Sequence, residues 1–232
     1  MQQSTKLSFV LCVRNEKERI KETLDSLLAQ YIRCPIIVVD DASNDGTYEI
    51  LKKHYAKDIT LFRNKTHKGG GYSRNLGNSK VTTEYIAVCD ADLYYKDRAS
   101  VLLKAIKERP DAGVIHTAMN VYNPKHGTFT HECVPIASNF LETCEGRKKI
   151  PIRHPTVCYK TELTKEFKYP DDSKETDGFE YFFLNLVKYG IIFYAVPVET
   201  MLFYAGTSKR NKVEAEKKRI EHYKAFGIEY NK

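Results

Sequence analysis

Residues Tyr85-Ile-Ala-Val-Cys89 form a run that is almost wholly apolar, and it stops at two acids one residue apart, Asp90 and Asp92. A segment this short, apolar throughout rather than at every second position, fits a strand buried on both faces, the kind found inside parallel sheets. Two similar runs precede it, Leu7–Val13 and Pro35–Val39, and the second ends in Asp40-Asp41. Helical spacing lies between them: Arg14-Asn15-Glu16 opens a helix with apolar positions Ile20, Leu24, Leu27 and Leu28, and a second helix runs through Leu51, with Ser43 or Asn44 as its cap. A short strand at 59–62 leads to Lys68-Gly-Gly-Gly-Tyr-Ser-Arg-Asn75, a glycine run that opens a third helix. Strands alternating with helices predict βαβ units and a mostly parallel sheet, which binds ligands outside the carboxyl ends of its strands.

Beyond Asp92 the rhythm changes. A helix at 99–108 leads to a half-buried strand at 113–122, a turn at Asn123-Pro-Lys-His-Gly127 and a returning strand at 128–134, a β-hairpin. A short helix at 137–144, a strand at 156–160, a polar loop at 169–178, a helix at 179–188 and strands at 191–196 and 199–204 follow. The tail from Ser208 sets Val213, Ile220, Tyr223 and Phe226 at roughly helical spacing among charges. There is no internal repeat, low-complexity tract or flexible linker. The chain therefore reads as one domain, 1–232, with halves at 1–98 and 99–206 and a basic C-terminal helix at 207–232.

The formal charge of +7 suits acidic partners without choosing among them. No run is long enough to span a membrane, and the N-terminus lacks a basic-then-apolar signal pattern, so the expected location is cytoplasmic. The six cysteines contain no CxxC pair and no zinc-ligand spacing, and Cys12, Cys34 and Cys89 read as small buried thiols.

Asp90 and Asp92 are close enough to share one hard divalent cation, whose other positions stay open to water and phosphate oxygens, or else they belong to a plain turn. Asp40 can accept hydrogen bonds from a base or ribose edge, whereas Asp41 fits an Asx turn. Gly69-Gly-Gly71 resembles a phosphate loop but has neither GxGxxG nor the Walker lysine. Arg74, a turn further on, either reaches a nucleotide or is solvated. Asp177 can cap the helix that starts near Gly178, with Glu180 at its third position, or one of the two acids serves as a general base. Of the histidines, His154, beside Arg153 and Pro155, is placed best to line a site. No GxSxG supports a serine nucleophile.

The order of these motifs resembles that of inverting glycosyltransferases of the GT-A fold, in the large family numbered two. Leu7–Ile20 is similar to the family's opening strand and Asn-Glu turn. Ile37-Val-Val-Asp-Asp-Ala-Ser-Asn-Asp-Gly-Thr47 is similar to VVDDGSTDGT, Lys68–Gly77 to the glycine-rich segment ending in Ala-Arg-Asn, and Asp90-Ala91-Asp92 to the metal-binding DxD. The likeness covers about residues 5–98, and the second half matches in outline only. Cys12-Val13-Arg14 stands where Pro-Thr-Tyr is common, and Thr176-Asp177-Gly-Phe-Glu180 stands where the family has Glu-Asp.

The resemblance implies an α/β, GT-A-like, Rossmann-like sheet flanked by helices, with a smaller antiparallel acceptor-side region. Asp40, Asp41, Gly70, Arg74, Asp90 and Ala91 would contact the nucleotide, and Asp90 and Asp92 would hold Mn2+ or Mg2+. Asp177 or Glu180 would be the base. The donor implied is a UDP-sugar; the acceptor is a saccharide, lipid-linked saccharide, protein or modified nucleobase. The basic tail adds an expected peripheral membrane contact. Two other classes compete: a nucleotidyltransferase on a related fold, which would carry a Gly-rich, Arg-Lys-containing loop after its first strand, and a non-catalytic nucleic-acid-binding module, which would carry a denser basic stripe.

Overall fold

The computed structural model describes residues 6–136, 152–171, 174, 178–205, 217, 218, 220–222 and 224–226. Strands β1 (Leu7–Val13), β2 (Ile36–Asp40), β3 (Thr60–Arg63) and β4 (Tyr85–Cys89) lie parallel in the order β3-β2-β1-β4. The predicted two-sided burial is what the sheet shows. Leu7, Phe9, Leu11 and Val13 pack on one face with helices α1 (Ile20–Leu28) and α4 (Arg98–Glu108), while Val10 joins Ile37, Ile86 and Val88 on the other. Helix α2 (Thr47–Ile50) widens into a π-helical turn over Leu51–Tyr55, and α3 (Gly70–Asn78) follows the glycine run.

The second half turns the sheet antiparallel. After β5 (Leu93–Tyr94) and α4 come β6 (Val114–Asn123), β7 (Gly127–His131), β8 (Val157–Lys160), α5 (Leu163–Glu166), α6 (Phe179–Lys188) and β9 (Phe193–Tyr204). Strand β8 pairs antiparallel with both β4 and β6, β9 runs parallel to β6, and β5 closes the order beside β9. The hairpin β6–β7 is present as expected. Together this is a mixed α/β sheet with a parallel half and a half in which antiparallel pairs surround the parallel pair β6–β9.

Four local expectations are corrected. The strands expected at 191–196 and 199–204 are one strand, β9, whose register slips where Thr117 faces Val196 and Ala118 faces Glu199. Pro197 has no N–H to give the ladder, so the strand bulges there instead of ending. Neither Ser43 nor Asn44 caps α2: Asp45 accepts from Thr47 N (2.9 Å), and Ser43 Oγ accepts from Asn15 N (3.0 Å). Helix α1 starts at Ile20 rather than at Asn15, which adopts φ 59° in the turn before it. In α6 the capping position is Gly178, with no side-chain cap bond, and Glu180 is the second helical residue rather than the third. The helix expected at 137–144 lies outside the described residues.

Candidate active site

Four loops meet at the carboxyl ends of β1, β2 and β4. The turn after β1 is stitched to the turn after β2 by four hydrogen bonds. Besides the Asn15–Ser43 bond, Asn44 N donates to Asn15 Oδ1 (3.0 Å), Glu16 N to Thr47 Oγ1 (2.9 Å) and Lys17 N to Asp45 Oδ2 (3.1 Å). Satisfying these loop amides with short side chains gives a fixed floor beside the sheet edge.

Asp40 and Asp41, adjacent in sequence, have different tasks. Asp40 is fully buried; its Oδ2 accepts from Ser43 N (3.2 Å) and pairs with Arg63 Nε (3.2 Å). Burial raises its pKa, partly opposed by Ser43 and Arg63. The Asp41 carboxylate takes bonds from Lys68 N, Gly69 N and Asn64 Nδ2, all at 2.8 Å, and meets His67 Nδ1 at 2.7 Å. Burial alone would raise its pKa, but those bonds outweigh it and hold the group below its usual range. Asp41 thus anchors the glycine loop. Gly69 takes φ 96°, a conformation natural to glycine, and the chain turns there into α3 at Gly70.

One turn into α3, Arg74 is 3% exposed and pairs through Nη2 with Asp90 Oδ1. The Asp90 side chain is 31% exposed and Asp92 is 5% exposed. Burial, with the charge of Asp90 beside it, lifts the Asp92 pKa to about 7. Asp92 Oδ1 accepts from Tyr204 N (3.4 Å), at the end of β9. Asp92 N bonds Asp90 O (2.8 Å) across Ala91, a tight turn that points both acids out of β4.

Two side chains that the sequence reading passed over brace this turn. Tyr94 Oη accepts from Asp90 N (2.8 Å) and donates to Asp90 O (3.2 Å). Arg98 is wholly buried. It donates to Val88 O (3.0 Å) and Thr200 Oγ1 (3.1 Å), and its guanidinium lies 4.8 Å from the Tyr94 ring centre. A buried arginine so placed locks β4, β5 and β9 together behind the acids. Only its position beside the Asp90 turn hinted at this.

The two carboxylates suit a hard cation. They supply oxygen donors, and ionisation of Asp92 is penalised until positive charge arrives. Among the described residues no cluster of three or more His, Cys, Asp or Glu could hold a metal.

In the second half of the chain, Glu180 is 3% exposed and Asp177 lies outside the described residues. His154 does not open onto the crevice as expected. It is 4% exposed, stacks on Phe179 (5.0 Å) and meets Tyr169 Oη through Nε2 (3.0 Å). The space beside Gly178 is also taken: a Cβ there would stand 2.1 Å from Pro170 Cγ and 3.3 Å from His222 Cε1. Gly178, at φ 62°, is therefore needed for close packing. In the tail, His222 is buried against Tyr181 (5.2 Å) and Phe226 packs on the same ring (5.4 Å). Of the apolar tail residues, Val213 and Tyr223 are outside the described set.

These loops belong to a known class. Residues 8–166 match the profile of Glycosyl transferase family 2, and the chain belongs to that family. It is 33% identical over 128 residues to the Bacillus subtilis protein named "Putative glycosyltransferase EpsE", covering 53% of this chain and 46% of that one. It is 32% identical over 120 residues to the Staphylococcus epidermidis poly-beta-1,6-N-acetyl-D-glucosamine synthase, covering 49% of this chain and 28% of that one. The chain thus spans less than half the length of these relatives. Among solved structures, residues 1–349 of S. aureus TarS in complex with UDP-GlcNAc superpose with a TM-score of 0.72 at 20% identity, over 88% of this chain and 60% of that one. A Pyrobaculum calidifontis mannosyltransferase in complex with GDP-Man and Mn2+ gives 0.66 at 21%, over 94% and 61%. At such identities the likeness is one of fold, and it shows the GT-A architecture.

Proposed function

We propose that this chain transfers a sugar from a nucleotide-sugar donor, a UDP-sugar, to an acceptor hydroxyl, with inversion at the anomeric carbon and the help of Mn2+ or Mg2+. The observation that carries this reading is the convergence of Arg74, Asp90 and Asp92 at the mouth of β4, beside the start of the glycine-opened helix. Asp90 and Asp92 would hold a divalent cation, which would supply Lewis-acid neutralisation of the diphosphate as it leaves. Arg74, already beside Asp90, adds a fixed positive charge at the same place. Gly70 and Ala91 present backbone close to the nucleotide. Asp40 and Asp41 act on the nucleotide through the loops they hold, since their carboxylates point into protein.

The acceptor hydroxyl needs a carboxylate to take its proton as it attacks the anomeric carbon from the face opposite the leaving group. We assign that base to Asp177, next to the start of α6. Glu180 is already buried at the second position of α6, which favours a supporting part for it. A single displacement needs no enzyme nucleophile. Support for a UDP donor comes from the fold neighbour in complex with UDP-GlcNAc. The acceptor belongs to one of four classes: saccharide, lipid-linked saccharide, protein or modified nucleobase.

The test is thermal unfolding with and without UDP and Mn2+, followed by a sugar-nucleotide screen read by mass spectrometry. UDP with Mn2+ should raise the melting temperature, as a ligand of the folded state must. No shift with any nucleoside diphosphate, and no turnover of any sugar nucleotide, would sink the reading.

A further inference from the structure

Helix α3 touches both halves of the site through adjacent residues. Arg74 reaches Asp90 on the donor side. The next residue, Asn75, reaches 94 positions along the chain: its Nδ2 donates to Tyr169 O (2.8 Å) and its Oδ1 accepts from Tyr169 N (3.0 Å). A side-chain amide that satisfies both backbone groups of one distant residue copies a strand pairing and fixes that residue in position and orientation.

What it fixes is the approach to α6. The Tyr169 ring stacks on Phe182 (4.3 Å, 8° between planes), and its hydroxyl meets His154, which stacks on Phe179. Pro170, the next residue, fills the space beside Gly178, where α6 begins. A line of close contacts therefore runs from the glycine-opened helix through Asn75, Tyr169 and Pro170 to the first turn of α6. It leaves little slack, since the Gly178 site has no room for a methyl group.

We infer that Asn75 is a positioning residue that ties the placement of α6, and so of the acceptor-side acids, to occupancy of the donor site. The inference rests on the proposed nucleotide-sugar reading. Donor binding at Arg74 orders α3, and Asn75 passes that restraint to Tyr169 and α6. Loss of the clamp leaves donor contacts intact but frees the helix that presents the base.

Amide hydrogen exchange of the full chain, with and without UDP and Mn2+, tests this, with UDP affinity measured by calorimetry. In the wild type, ligand should slow exchange in 178–184. In Asn75→Ala, UDP affinity should stay within about threefold while the ligand-dependent slowing in 178–184 shrinks by about tenfold, the size expected of two lost hydrogen bonds. A purely structural role would speed exchange there in free and bound protein alike and leave the ligand-dependent change intact; that result overturns the inference. So does UDP binding to wild type with no slowing in 178–184. Failure of wild type to bind UDP is a separate outcome, which removes the sugar-transfer reading itself. Should Asn75→Ala not fold, Asn75→Asp keeps an acceptor for Tyr169 N, loses the donor to Tyr169 O, and is judged by the same two measurements.

Discussion

The halves proposed for donor and acceptor solve the same problem with different materials. On the donor side, acids at the ends of buried parallel strands are held by hydrogen bonds from loops a few tens of residues away, as Asp41 is by residues 64 to 69. On the acceptor side, the start of α6 is held by stacked rings, Phe179 on His154 and Phe182 on Tyr169. Hydrogen bonds to a carboxylate fix direction and charge, which metal and phosphate chemistry needs. Ring stacking fixes a helix by area and shape and leaves the polar groups on its far side open to change. The edge strand β7, exposed along most of its length, continues that contrast.

The sharpest way to break the comparison is at the acids themselves. Asp177→Asn should cost about 10²- to 10⁴-fold in kcat with UDP affinity retained, while Glu180→Gln should keep kcat within a fewfold of wild type and mainly lower Tm. An inactive Glu180→Gln that still binds UDP, beside an active Asp177→Asn, would exchange the roles. Next comes Asp92→Asn. A loss of roughly 10²- to 10³-fold in turnover is expected, equivalent to the several kcal/mol a Lewis acid supplies. The metal-free variant should melt no lower than wild type, because ionising Asp92 is unfavourable in its buried setting. Normal turnover that still requires metal would take Asp92 out of the site.

A smaller effect should follow at the glycine loop. Asp41→Ala removes the acceptor for Lys68 N and Gly69 N, so UDP binding should weaken about tenfold and stability fall by about 2–3 kcal/mol. Asp40→Ala should weaken UDP binding less; calorimetry on the pair decides which aspartate controls the nucleotide. On the acceptor side, His116 on β6 is buried with its pKa pushed down to about 4. Its folded value lies below the unfolded one, so the unfolded chain binds more protons in between. Stability is therefore full above about pH 6.5 and is lost as pH falls towards 4. His116→Phe should flatten Tm across that window; an unchanged pH slope would show that other groups set it. The smallest effect concerns the tail, where eight Lys and Arg face four Glu from Ser208 onward. Flotation with anionic vesicles should show weak, salt-sensitive binding that neutral vesicles lack. Equal behaviour on both would end the membrane proposal.

Why the two halves differed in legibility follows from how far apart their partners lie. The Asp90–Asp92 turn and the glycine run sit inside single segments, and their place at strand ends follows from where apolar runs stop. Even there the reading of Asp40 as a base contact did not anticipate Arg63, which reaches its carboxylate from the neighbouring strand. On the acceptor side the partners are remote: Tyr204 meets Asp92 across 112 residues and Asn75 meets Tyr169 across 94. His222 carries no apolar signal, yet it is buried against Tyr181.

From the sequence alone come the buried parallel strands, the helices between them, the acids at their ends and the family. Each depends on unbroken apolar runs, on spacing of period 3.6 or on short motifs, which record which parts of a segment avoid water. They do not record what covers those parts. Tertiary structure alone decided that β9 bends around Pro197 to reach Asp92, that Arg98 is buried behind the acids, and that Pro170 fills the space at Gly178. The physical reason is that such contacts are chosen by close packing and hydrogen-bond satisfaction among segments far apart in the chain, and a residue's neighbours in sequence carry no trace of them.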